Sequence, residues 1–278
     1  MSSPRFSVII CSIDPWKFAQ ACACYQRLLA DYAHEIVGIH DARSLAEGYN
    51  RGFRQSSGDI MIFSHDDVIF LDPGFAAKID ERMQSWDLLG FAGSSRLVYP
   101  TWHAANWPHL HGAVSHYWAR HQPTALSFCI YGARDWPVTG GIQTMDGLCL
   151  ITRRDIATAI SFDADTFDGW HLYDVDFSVT VSHLGHRTGI CCDIPYIHAT
   201  TSLLGSNSFN GETYRKYAKR FAAKHADKML SNYGSTRILH ARSQFIRDHD
   251  ELKRLWSEDT FRHATLALAR DVAFRDES

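Results

Sequence analysis

The amino-acid sequence predicts an α/β fold, a mostly parallel central sheet flanked by helices, with a helical C-terminal region. Three observations carry that expectation. Strand-like and helical stretches alternate from Phe6 to Ser64, the pattern of parallel strands joined by crossover helices. The third strand-like run, Ile60-Met61-Ile62-Phe63, is continuously apolar, as an interior strand covered on both faces must be. It runs into Asp66 and Asp67, and the carboxyl end of a strand is where open α/β sheets bind ligands.

Taken in order, Phe6 to Cys11 is the first strand and Ser12-Ile13-Asp14-Pro15 the turn that follows it. Trp16 to Tyr32 has helical character. Glu35 to His40 is a second strand, ending at Asp41. Ser44 to Gln55 is a second helix, with Ser44 as N-cap and Glu47 three residues on, the spacing of a capping box. Residues 59–64 form the third strand. Asp72-Pro73-Gly74 opens a helix over 74–86, and Leu88 to Gly93 reads as a fourth strand. Asp146 to Ile151 restores a strand, Arg153 to Ile160 a short helix, and Tyr173 to Leu184 an amphipathic helix stopped by Gly185. Arg187 to Asp193 is a further strand, followed by Pro195 and His198. From about residue 211 the pattern is polar, charged and helical.

Residues 94–141 break this rhythm. They hold Trp102, Trp107, Trp118 and Trp136 with His103, His109, His111, His116 and His121, lack clean periodicity and read as an elaborated loop region. The histidines have no HxxxH or HExxH spacing, so no zinc site is expected. The aromatic rings suit a packed core and equally a platform for sugar rings.

Composition narrows the class. With 278 residues, 45% of them hydrophobic, the chain can bury a sizeable core. Its formal charge of −3 provides no field for nucleic acid. No secretory signal and no apolar run of membrane-spanning length is seen. The seven cysteines, at positions 11, 22, 24, 129, 149, 191 and 192, form no CxxC pair and no even framework, which suits free thiols in the cytoplasm. Lys216, Lys219, Arg220 and Lys224 could make a basic helical face. Such a face is ordinarily solvated, and it could also give peripheral membrane contact or meet an anionic acceptor.

Two paired carboxylates stand out. Asp66-Asp67 is expensive to bury without a compensating cation, which suggests a divalent metal. Asp174-Val175-Asp176 opens a helix, where the dipole favours carboxylates, and one of the two could deprotonate an attacking hydroxyl. His198, after the last strand, is a residue type that ligates metals. Asp146 precedes a strand, a position typical of turns.

Four segments then carry a resemblance: SVIICSID at residues 7–14, DARSLAEGYNRGFRQSSGDIMIFSHDDV at 41–68, MDGLCLITRR at 145–154, and FDGWHLYDVDFSVTVSHLGHRTGICCDIPYIH at 167–198. Their order resembles family-2-like glycosyltransferases of the GT-A fold, over about two thirds of the chain. The resemblance implies a GT-A catalytic domain over residues 1–204, with 94–141 as its variable acceptor-side segment, and a C-terminal helical extension over 205–278. It implies a metal-dependent inverting enzyme of hexosyl- or N-acetylhexosaminyl-transferase type. Such an enzyme moves a sugar from a nucleotide-sugar donor, a UDP-sugar, to a hydroxyl on a glycan, lipid-linked or other acceptor in glycan biosynthesis.

The same resemblance assigns roles. Asp67 and His198 hold Mn²⁺ or Mg²⁺. Asp174 is the catalytic base, with Asp176 as the alternative. Ser12, Asp14, Asp41 and Asp66 hold the nucleotide, and Asp146 lies near the donor sugar or acceptor. Two positions depart from the family pattern. His65 stands where an acid is usual, and Tyr173 stands in place of the Glu before Asp174. A catalytically inactive sugar-nucleotide or glycan-binding module is therefore an alternative. A sugar nucleotidyltransferase is a weaker one, because Ser12-Ile13-Asp14-Pro15 is acidic and has no Gly.

Overall fold

The computed structural model describes residues 4–105, 108–117, 126–131, 137–198 and 211–229, with the backbone alone for 115–117 and 126–131. Trp107, Trp118, His121 and Trp136, and the helical expectation beyond residue 229, lie outside the described residues.

The chain runs β1 (Phe6–Cys11), α1 (Pro15–Leu28), β2 (His34–Ile39), α2 (Leu45–Gln55), β3 (Ile60–Ser64), β4 (Val68–Phe70), α3 (Phe75–Met83), β5 (Leu88–Gly90) and β6 (Ala92–Ser94). A 3₁₀ turn at Trp102–Ala105 leads to β7 (Leu110–Tyr117), β8 (Leu126–Tyr131), β9 (Val138–Gly140), β10 (Thr144–Met145) and β11 (Cys149–Arg153). Then come α4 (Arg154–Ala159), α5 (Tyr173–His183), β12 (Thr188–Cys191), β13 (Tyr196–His198) and α6 (Glu212–Lys224).

Local chemistry sets the helix starts. Asp14 caps α1, its Oδ1 accepting from the backbone N–H of Trp16 (2.9 Å) and Lys17 (3.1 Å), and Pro15 follows where its missing N–H costs nothing. Ser44 Oγ accepts from Glu47 N at 3.1 Å. The return bond of Glu47 goes to Arg43 N, one residue before the cap.

The central sheet has the order β2-β1-β3-β11-β5-β12-β9. Pairing is parallel for β1 with β2, β1 with β3 and β12 with β5, and antiparallel at β11 and β9. Five strands thus share one direction and two are reversed. Side-chain alternation along β1 and β3 builds two cores. Val8, Ile10 and Ile62 face α1 and α3, through Tyr25, Leu28, Phe75 and Ile79. Ile9, Met61 and Phe63 face α2, α4, α5 and α6, through Tyr49, Ile156, Val179 and Phe221. Emptying one such fully buried site, as in Phe63→Ala, costs about 3–5 kcal/mol.

A second sheet, β10-β6-β7-β13-β4 with β8 paired to β7, corrects two expectations. The run 88–93 is not one strand: Leu88–Gly90 belongs to the central sheet and Ala92–Ser94 to the second. Part of 94–141 is strand rather than loop, in β7, β8 and β9. β7 carries His, Gly and Ser and β9 is three residues long, so neither has an apolar run to read, whereas the apolar run Phe128 to Tyr131 of β8 was a signal the reading passed over.

The helix α6, within the region 205–278, packs onto the preceding part of the chain. Tyr214, Tyr217, Ala218 and Phe221 of α6 are buried in the same core as Phe167, Leu172 and Tyr173.

Candidate active site

The chain leaves β3 at Ser64, and His65-Asp66-Asp67 turns it into β4. His65 N donates to Leu148 O at 2.9 Å, which pins the turn against the loop before β11. Antiparallel pairing of β13 with β4 sets His198 opposite Val68. That register brings His198 beside Asp67 from 131 positions away in sequence. The metal-binding atoms of His65, Asp67 and His198 all lie within 4.8 Å of one another. His198 Nε2 is 3.3 Å and His65 Nδ1 4.0 Å from Asp67 Oδ1.

Asp67 Oδ1 is buried and accepts no hydrogen bond. Burial pushes its carboxyl up, but the imidazoles of His198 and His65 outweigh that and hold it well below the usual carboxylate range. A buried anionic oxygen without a hydrogen bond, faced by two imidazole nitrogens, is a donor set that a divalent cation would complete. The residues therefore fit a metal. Asp66 turns elsewhere, its Oδ2 accepting from Ser12 Oγ at 2.6 Å, which ties the β1–α1 turn to the acidic turn.

The loop Asp146-Gly147-Leu148 joins this cluster to the start of α5. Asp146 Oδ1 accepts from Leu148 N (2.9 Å) and Oδ2 from the indole N–H of buried Trp102 (3.0 Å). Gly147 N donates to Asp174 Oδ2 at 2.8 Å, and Tyr173 Oη donates to Gly147 O at 3.3 Å. Only glycine fits here: a Cβ on residue 147 would overlap the Tyr173 hydroxyl and come within 2.7 Å of Asp174 Cβ. The Asp146-Gly147-Leu148 loop thus links the groups of the site. Trp102, from the aromatic segment, is a core residue that orients Asp146.

Asp174 occupies the first turn of α5, just after Leu172, the one described non-glycine residue with a left-handed backbone (φ 65°). Crowding by surrounding protein raises the Asp174 carboxyl first, and the negative charge of Asp146 adds to it. Backbone N–H groups of Val175 and Gly147 oppose them, and the carboxyl stands at about 7. Asp176, the alternative base, points elsewhere. It is 2% exposed and accepts from Lys224 Nζ (3.0 Å) and His225 Nε2 (2.7 Å), which docks the end of α6 onto α5.

Other expected site residues lie differently. Asp14 is the cap of α1, with Oδ1 committed to backbone. Asp41 is mostly exposed and grips Arg51 through both oxygens, at 2.7 and 3.3 Å. Lys17, in the first turn of α1, lies close enough for its charge to act on both Asp67 and His198. Burial lowers His198 first, but the Asp67 carboxylate outweighs it and His198 stays raised overall. The sequence reading overlooked Lys17, although its place beside the first strand–helix turn was a signal. On the basic face of α6, Lys216 and Arg220 pair at the surface with Asp168, and Lys224 pairs with Asp163 and Asp176, while Lys219 is exposed. Among the described residues no helix is long and apolar enough to cross one.

The parallel strands, the acidic turn after β3 and the carboxylate at the head of α5 are arranged as the resemblance to GT-A glycosyltransferases implies. The sequence profile of the glycosyltransferase-like family matches residues 7–225. The chain belongs to that family, and the matched span contains every residue of the site and α6. No protein of curated function matches it. Among solved structures it is similar to the mannosyltransferase PcManGT from Pyrobaculum calidifontis in complex with GDP-Man and Mn²⁺, at 11% identity and TM-score 0.46, over 100% of this chain and 89% of that one. It is also similar to a mutant Drosophila β1,4-galactosyltransferase 7 in complex with manganese, UDP-Gal and xylobiose, at 12% identity and TM-score 0.43, over 83% and 82%. A third is A197 from STIV, at 13% identity and TM-score 0.40, over 70% and 86%.

Proposed function

We propose that this member of the family is an active, inverting, metal-dependent glycosyltransferase. It transfers a sugar from a nucleotide-sugar donor, a UDP-sugar, to a hydroxyl of a glycan or lipid-linked acceptor. The observation that carries this reading is the division of the site. The Asp67 cluster and the Asp174 carboxylate are held at different points of the Asp146-Gly147-Leu148 loop, His65 N on Leu148 O and Asp174 Oδ2 on Gly147 N, each with its own electrostatics. Asp67 and His198 are the residues to hold Mn²⁺ or Mg²⁺, which, when bound, would neutralise the leaving diphosphate as a Lewis acid.

Asp174 serves as base. It takes the proton of the acceptor hydroxyl as the acceptor oxygen forms its bond to the anomeric carbon. The bond from that carbon to the diphosphate breaks on the opposite face, and the nucleoside diphosphate leaves with the electron pair. A carboxylate raised to about 7 is well matched to that task near neutral pH. Asp146, oriented by Trp102 and Leu148 N, holds a hydroxyl of the donor sugar or acceptor. Ser12 and Asp66 position the nucleotide, with Asp41 and Asp14 at its margin, and Lys17 adds positive charge toward the diphosphate. The described cysteines are free thiols, which supports a cytoplasmic setting.

The test is donor turnover with Mn²⁺ and a panel of nucleotide-sugars, wild type against Asp67→Asn. Wild type should hydrolyse or transfer from one donor. Asp67→Asn should lose on the order of a thousandfold in kcat/KM while remaining folded. Donor binding without turnover in the wild type would instead identify an inactive binding module, and full activity in Asp67→Asn would refute the metal assignment.

A further inference from the structure

The two departures from the family's acidic pattern, His65 and Tyr173, are bonded to each other: His65 Nε2 and Tyr173 Oη are 2.7 Å apart. Proton accounting decides how. Tyr173 has one hydroxyl proton, to be placed between His65 Nε2 and the carbonyl of Gly147 at 3.3 Å. A carbonyl can only accept. If the hydroxyl donated to Nε2, the ring proton would sit on Nδ1. Its nearest acceptor among the site carboxylates, Asp67 Oδ1, is 4.0 Å away, beyond hydrogen-bond reach. With the proton on Nε2, the ring donates to Tyr173 and Tyr173 donates to Gly147, so both of these donors are used. Nδ1 then presents a lone pair toward Asp67 and His198, within the 4.8 Å cluster.

We infer that Tyr173 is a positioning residue that locks His65 as an Nδ1 ligand, making a centre of two imidazoles and one carboxylate that takes Mn²⁺ in preference to Mg²⁺. The inference rests on the metal-dependent reading above. Mg²⁺ favours oxygen ligands and gives up water reluctantly, whereas imidazole suits first-row transition ions. A second partner fixing the far nitrogen of a ligating His is the usual way a protein sets its tautomer and basicity. Tyr173 itself is rigid, buried against Tyr49 and Phe162 at ring separations of 5.7 and 6.1 Å. Its ring would be kept by Phe.

The experiment uses the full-length chain stripped of metal, titrated with Mn²⁺ alone and in competition with Mg²⁺, and followed by electron paramagnetic resonance with no donor present. Wild type should prefer Mn²⁺ by at least about tenfold and show magnetic coupling to two imidazole nitrogens. Tyr173→Phe should weaken Mn²⁺ by on the order of 10–100-fold without shifting the unfolding temperature of the metal-free protein. His65→Ala should leave coupling to one imidazole, and His65→Asp should narrow the preference over Mg²⁺. Unchanged Mn²⁺ affinity in Tyr173→Phe, or the same coupling in wild type and His65→Ala, would overturn the inference and leave the transferase reading standing. A wild type that binds neither ion would overturn both.

Discussion

The carboxylate of Asp174 accepts the backbone N–H of Gly147 at 2.8 Å, so the loop that orients Asp146 also holds the group at the head of α5. That single bond couples the two halves of the site. It places the negative charge of Asp146 close enough to raise Asp174, after the crowding of the surrounding protein has already done so.

The pH dependence of transfer follows. A base acts only when deprotonated, and Asp174 releases its proton at about 7. The kcat/KM should therefore rise tenfold per pH unit below about 7 and level off above it. Steady-state kinetics from pH 5.5 to 8.5 with saturating Mn²⁺ will show this. A profile flat down to pH 5.5 would remove Asp174 from the role of base.

Stability should respond in the opposite sense. The usual carboxylate value is 3.8, and in the folded protein Asp174 keeps its proton up to about 7. Between those values the folded state binds more protons, so this group's contribution to stability falls as pH rises from about 4 to about 7. Asp174→Asn should abolish transfer while stabilising the protein at pH 8, by on the order of 2 kcal/mol. Asp176→Asn should do the reverse. It weakens a buried ion pair to Lys224 and His225 and should destabilise by about 3 kcal/mol with activity kept in the folded fraction. Thermal or urea unfolding of both variants, beside their rates, separates the two carboxylates. If Asp176→Asn alone stopped the chemistry, the assignment would be inverted.

Trp102 should matter through its indole nitrogen. Trp102→Phe keeps an aromatic ring in the core but removes the 3.0 Å bond to Asp146 Oδ2. A hydrogen bond to a charged group contributes about 1.5–3 kcal/mol, so kcat/KM should fall by roughly ten- to a hundredfold. Kinetics indistinguishable from wild type would show that Asp146 needs no such anchor.

Much of the framework was legible because its causes are local. The apolar run of β3, the Ser44 cap of α2 and the strand–helix alternation of the first 64 residues depend on neighbours in sequence. The strands β4 and β13 were not legible. Each is three residues long, too short for any period, and they exist because they pair with each other. The basic residues of α6 were legible as a helical face, but their partners, Asp163, Asp168 and Asp176, lie some fifty residues earlier.

The amino-acid sequence by itself determined the α/β class, the acidic turn at the end of β3 and the presence of a second carboxylate pair at the head of α5. These are matters of hydrophobic period and residue type. Tertiary structure alone decided which groups meet. Asp174 and Asp176 are two residues apart on a helix, hence about 200° apart around its axis. One faces Gly147 and the other α6, and only the packing of α6 says which is which. His65 looked like a missing acid until the β4–β13 ladder brought His198 to its side and Tyr173 closed on its far nitrogen. A chain encodes its periods locally, but a ligand set is made by elements that touch only after folding.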